Sequence, residues 1–131
     1  MSGGAMRDSS ELYLAVRKGF PDFAQAADRR FFYCWGEQPS ESSPHIWFEC
    51  LAEALNEEMR REARIAECSE LFAFVARALG KAGSDTRKCI DASFVENLFR
   101  HVPPAKVKAY WSKFPPQRRG LYTAFHGSPP R

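Results

Sequence analysis

Residues 45–59 read "HIWFECLAEALNEEM", and the spacing inside this stretch decides the fold class. Trp47, Cys50, Leu51, Ala54, Leu55 and Met59 recur at intervals of three and four, the period of a helix that buries one face. Ser43 followed by Pro44 marks its start, a capping side chain ahead of a first-turn proline.

The same period extends in both directions. Upstream, Ser9 or Ser10 can cap a helix whose apolar positions are Leu12, Ala15, Val16 and Phe20. Pro21 ends that helix or opens the next, because it cannot donate a backbone hydrogen bond inside one. Phe23, Ala27, Phe31 and Cys34 then continue in register. The end of that helix, "RFFYCW" (30–35), is apolar on every side and admits a second reading as a buried strand, but no second strand offers itself as a partner. The segment "GEQPSESSP" (36–44) has the composition of a loop.

Downstream, a helix beginning around residues 62–65 turns Ile65, Cys68, Leu71, Phe72, Val75 and Leu79 inward, and "GKAGSD" (80–85) stops it. Asp85 or Thr86 opens another, with Ile90, Phe94, Val95, Leu98 and Phe99 inward. Pro103 and Pro104 break it and start a further helix carrying Val107, Tyr110, Trp111 and Phe114. The final stretch, "FPPQRRGLYTAFHG" (114–127), reads as a turn followed by a short helix. It closes the core like a lid with Leu121, Tyr122 and Phe125, leaving Arg118 and Arg119 toward solvent or an acidic flank. The expected architecture is all-α: a single compact domain over residues 9–127, of six to seven helices packed as antiparallel pairs. Residues 1–8 read as a frayed N-terminus and 128–131 as a tail. No period of 30–45 residues recurs, so a helical repeat is not indicated.

Composition agrees. The chain has 131 residues, 44% apolar and 14% aromatic, enough for one core and too few for two. No run approaches the roughly 20 apolar residues of a membrane span, and "MSGGAMRDSSE" (1–11) has no apolar leader core, so a cytosolic location is expected. The four cysteines, at 34, 50, 68 and 89, form no C-x-x-C pair. Cys50, Cys68 and Cys89 lie beside apolar residues, where a thiol behaves as a small hydrophobe. No metal site and no cofactor are expected. His45, His101 and His126 are far apart in sequence and none stands in a catalytic motif. No phosphate-binding loop, zinc-protease motif or nucleophile elbow occurs, and nothing points to an enzyme.

Charge is segregated along the chain. Residues 101–131 carry six basic residues and no acidic one, whereas residues 37–70 carry nine acidic residues against three arginines. Glu49, Glu53 and Glu57 fall at i, i+4 and i+8, along one helix flank. Like charges at that spacing cost a helix about 0.2–0.5 kcal/mol per pair, so a cationic neighbour within the fold or a cationic partner outside it is expected to offset them. The basic C-terminal segment, Lys106, Lys108, Lys113, Arg118 and Arg119 interleaved with Tyr110, Trp111 and Tyr122, has the composition of a nucleic-acid surface. Tyr110 and Trp111, however, share the apolar stripe of Val107 and Phe114, which favours core.

At "CIDASFVENLF" (89–99) and "FPPQRRGLYTAFHG" (114–127) the chain resembles a group of small all-helical bacterial domains of uncharacterised function. Members of that kind resemble immunity proteins, which neutralise toxins passed between competing bacteria. The likeness spans residues 31–127. It implies a non-enzymatic protein-interaction module that occludes or locks a toxin domain, and it transfers no catalytic residue. On that reading Glu49, Glu53 and Glu57 would draw in a cationic toxin site. Trp35 and Trp47, flanking the polar loop, would be the aromatic anchors by position, with core packing the competing role for each. The alternative is a nucleic-acid-binding or regulatory helical domain using the basic segment.

Overall fold

A computed structural model describes residues 9–40 and 44–112. These form six α-helices, α1 (Ser9–Gly19), α2 (Pro21–Trp35), α3 (Pro44–Arg60), α4 (Ile65–Gly80), α5 (Ser84–Ile90) and α6 (Pro104–Trp111), with a π-helical turn (Asp91–Val95) continuing α5. No strand occurs among the described residues, so the chain is all-α. The expected lid residues Leu121, Tyr122 and Phe125, together with Lys113, Phe114, Arg118, Arg119 and His126, lie outside the described residues, as do the two expected termini.

α3 is the hub. Trp47, Phe48, Leu51, Ala52, Leu55, Asn56 and Met59 are all fully enclosed, a wider buried face than one apolar stripe provides. Its most extensive neighbour is α2, and the two run antiparallel. At one end Trp35 and Ile46 line the same pocket. Further along Arg30 approaches Glu57 at 3.8 Å, and beyond the far end of α3 Arg64 reaches Asp22 at 3.4 Å. The reversal between α3 and α4 uses two left-handed non-glycine residues, Glu62 (φ 55°) and Arg64 (φ 53°). Such backbone costs on the order of 1 kcal/mol per residue. Arg64 is held there through Asp22, Glu58 and the face of Phe23.

α1 is tied to both partners of this pair through one carboxylate. Asp28 accepts from Arg17 at 2.6 and 2.7 Å and from the Trp47 indole N–H at 2.8 Å. Tyr13 packs edge-on against Trp47, and Arg17 lies over the Tyr13 ring. Hydrogen bonding to Asp28 raises the Arg17 pKa. Because Trp47 is fully buried, removing its acceptor strands a donor away from water. Asp28→Ala is expected to lower unfolding free energy by about 2 kcal/mol in a urea titration. Loss of less than about 0.5 kcal/mol would mean the node is solvated and idle.

The helix expected to run up to the break at Pro103 and Pro104 ends earlier. α5 gives way to the π-helical turn at Asp91, with Glu96 N–H donating to the Asp91 carbonyl. Residues 96–101 then turn, with Phe99 at φ 68° and His101 at φ 58°. Asn56 explains how that turn is held. Its Nδ2 donates to the Asn97 carbonyl at 2.9 Å and its Oδ1 accepts from the Phe99 N–H at 2.7 Å. From that turn Arg100 faces Asn97 and Glu53.

α6 packs on α3 and α4. Tyr110 donates its hydroxyl to the Ala63 carbonyl at 2.7 Å, and Phe99 packs between Phe72 and Trp111. Burial pushes the Cys68 thiol and the Tyr110 phenol each up to about 12, from ordinary values of 9.0 and 10.0. Both ionise in the unfolded chain at lower pH than in the folded one. The stability they confer is therefore complete below about pH 9 and is lost as pH rises toward 12. The buried Cys50 thiol, pushed up to about 11, adds to the same loss. The thermal midpoint should fall across that window, and Cys68→Ala should make the fall shallower without moving its onset from about pH 9, the ordinary thiol value. A fall as steep as that of the native chain would mean that Cys68 plays no part in the alkaline loss.

Candidate functional site

α2 ends by extending past the helices that cover its earlier turns. Phe23, Ala24, Ala27 and Phe31 are buried, but Phe32, Tyr33 and Trp35 are 50, 89 and 56% exposed. Gly36 at φ 74° then caps the helix with its N–H on the Phe32 carbonyl at 2.8 Å, a left-handed stop natural to glycine. "RFFYCW" (30–35), apolar on every side, is thus the exposed end of a helix and not a buried strand. Cys34, expected inward with Phe31, is exposed for the same reason.

Two pockets flank this tip, both walled by α2 and α3 and sharing Arg30. One, of about 280 Å³, is lined by Cys34 and Trp35 of α2, Glu49, Cys50 and Glu53 of α3, and Arg100 from the turn after the π-helix, among others. The other, of about 400 Å³, has Arg29 and Tyr33 on its α2 side and Glu57, Glu58 and Arg61 on its α3 side. Glu49, Glu53 and Trp35 are therefore brought to one concave site, with Glu57 in the adjoining pocket.

The acidic flank is real, and the fold supplies cations to it. Glu57 pairs with Arg60 at 2.7 Å and Arg30 at 3.8 Å, and Glu53 with Arg100 at 3.8 Å. The Arg60 hydrogen bond leads the lowering of the Glu57 pKa. Glu49 is exposed beside the smaller pocket. Like-charge repulsion along α3 is thus relieved from α2, from the end of α3 itself and from residue 100. Trp47 does not serve as an anchor: it is 0% exposed, and its one polar atom is engaged by Asp28.

The alternative basic patch is described only in part. Lys108 is exposed, whereas Lys106 donates to the Arg60 carbonyl at the end of α3. Tyr110 is buried and Trp111 partly buried against Phe99, so neither presents an open stacking face. His45 and His101 are both exposed. Among the described residues no group of three or more histidine, cysteine or acidic side chains is placed to hold a metal, and no helix is long and apolar enough to cross a membrane.

The aromatic tip escaped sequence reasoning except at Trp35. The signal was present: five apolar residues directly before Gly36 exceed what a single buried face can absorb. Residues 13–127 match the domain-of-unknown-function family DUF7674, and the chain belongs to that family. No curated protein and no solved structure matches it.

Proposed function

We propose that this DUF7674 domain is a non-enzymatic protein-interaction module that docks its partner on the end of α2. The observation that carries the reading is the exposure of Phe32, Tyr33 and Trp35 within one helical turn. Large aromatic side chains dominate binding energy at protein interfaces, and a cluster of them left open to water is costly unless something covers it. Glu49, exposed beside Trp35, adds charge at the rim, where it speeds encounter and selects against acidic partners. The partner is a toxin domain of the kind an immunity protein neutralises, as the sequence resemblance implies. The module then acts by covering the toxin's working surface, with no chemistry of its own.

Capture by the tagged domain from its own organism at moderate salt tests this. The expected result is one stoichiometric protein, held by the native chain and lost by the triple variant Phe32→Ser, Tyr33→Ser, Trp35→Ser at unchanged thermal midpoint. Capture of nucleic acid alone, released steeply by salt, would transfer the function to the basic segment.

A further inference from the structure

We propose that Cys34 and Cys50 form a reversible disulfide on exposure to a hydroperoxide, which makes the pocket between α2 and α3 a site of oxidative modification. The two thiols belong to adjacent antiparallel helices and line the same 280 Å³ cavity. Arg30, one turn before Cys34, spans to Glu57 on that flank. One turn further along α2, the corresponding positions on α3 are Glu53 and Cys50, which share the cavity with Cys34. Packed helices have axes about 8–10 Å apart and a disulfide accepts roughly 4.4–6.8 Å between α-carbons, so closing the bond asks for a local approach of the α2 end toward α3. Cys34 lies in the exposed last turn of α2, bounded by Gly36, where a small shift is least opposed.

The two sulfurs differ in a way that assigns their roles. Cys34 is exposed and open to an incoming peroxide, while Cys50 is 7% exposed. Burial, with the nearby Cys34 next in importance, pushes the Cys50 thiol up to about 11, so it stays protonated at neutral pH and is the slower nucleophile. In the first step the Cys34 thiolate attacks one peroxide oxygen. The O–O bond breaks, the other oxygen leaves as hydroxide or alkoxide and takes a proton from solvent, and Cys34 becomes a sulfenic acid. In the second step Cys50 sulfur attacks Cys34 sulfur, the S–O bond breaks, and hydroxide departs with the Cys50 proton as water. Two electrons pass from the thiol pair to the hydroperoxide. Excess small thiol reverses the change and is itself oxidised to its disulfide.

Cys68 is enclosed and takes no part, and Cys89 is half-buried on another helix. The thiol chemistry does not depend on the docking function above, so the two readings can fail separately.

The sequence makes the test direct. No lysine or arginine lies between Phe31 and Met59, so trypsin releases both thiols on one peptide, residues 31–60. The folded full-length protein is treated with a few equivalents of hydrogen peroxide, alkylated, digested without reductant and weighed. The expected peptide is two hydrogens lighter, carries no alkyl group, and regains both alkylation sites after dithiothreitol. In Cys50→Ser, Cys34 should persist as a sulfenic acid that dimedone traps, and Cys89→Ser should behave as the native chain. Two alkylated thiols on peptide 31–60, a Cys34 disulfide between two chains, or Cys34 sulfinic acid with Cys50 untouched would each overturn the proposal.

Discussion

Asn56→Ala is expected to destabilise the domain by about 3 kcal/mol, the largest stability effect of any single change considered. Asn56 is 0% exposed, and both ends of its amide are committed to main chain in the 97–99 turn. Truncation strands the Phe99 N–H away from water and takes the donor from the part-buried Asn97 carbonyl. Each buried, unmade backbone hydrogen bond costs about 1–3 kcal/mol. Phe99 also sits in the left-handed region at φ 68°, a conformation that this hydrogen bond holds against its own strain. The loss should therefore appear in two observables. The urea midpoint falls, and the amides of 97–101 exchange faster than those of α3 even where the protein remains folded. A variant as stable as the native chain would mean that the turn is held by Arg100 and by packing of Phe99 alone.

Trp35→Ala is expected to weaken partner binding by about 2 kcal/mol, or roughly 30-fold, while leaving the unfolding midpoint within experimental scatter. The separation of the two effects follows from exposure. More than half of the Trp35 side chain is open to water, so truncation removes little buried area from the fold. Its contact with Phe31, at 6.4 Å between centroids, is a small loss. At an interface the same ring would be wholly desolvated against the partner. Glu49→Gln should act differently, through a slower on-rate and a weaker dependence on salt, because a rim charge contributes to steering more than to the lifetime of the complex. A Trp35→Ala variant that loses stability and affinity together would show instead that the tip braces the fold.

How far the sequence announced this arrangement varies with the residue. Trp47, Leu51, Leu55 and Met59 declare α3 because apolar side chains at that period line up only on the buried face of a helix. The breaks at Pro21, Gly80 and Pro103 follow from backbone chemistry. Asn56 was overlooked because a lone polar residue reads as solvent-facing. Yet it continues the row Phe48–Ala52 at the same four-residue step, and all three are fully buried. The π-helical turn at Asp91–Val95 left no sequence mark, since a one-residue change in hydrogen-bond register alters no side chain. Glu49, Glu53 and Glu57 were legible as a flank, but the arginines that meet Glu53 and Glu57 come from α2, from the last turn of α3 and from residue 100. Cys34 and Trp35 continue the inward period of α2, and periodicity does not say where the neighbouring helices stop covering it. The site is visible only where that cover ends.

Amide hydrogen exchange of the domain, alone and saturated with its captured protein partner, locates the docking surface. The expected result is slowed exchange confined to the last turns of α2 and the first half of α3, residues 30–37 and 45–53, with α6 unchanged. Protection centred on residues 104–112, with the α2 tip exchanging as in the free protein, would contradict docking on α2.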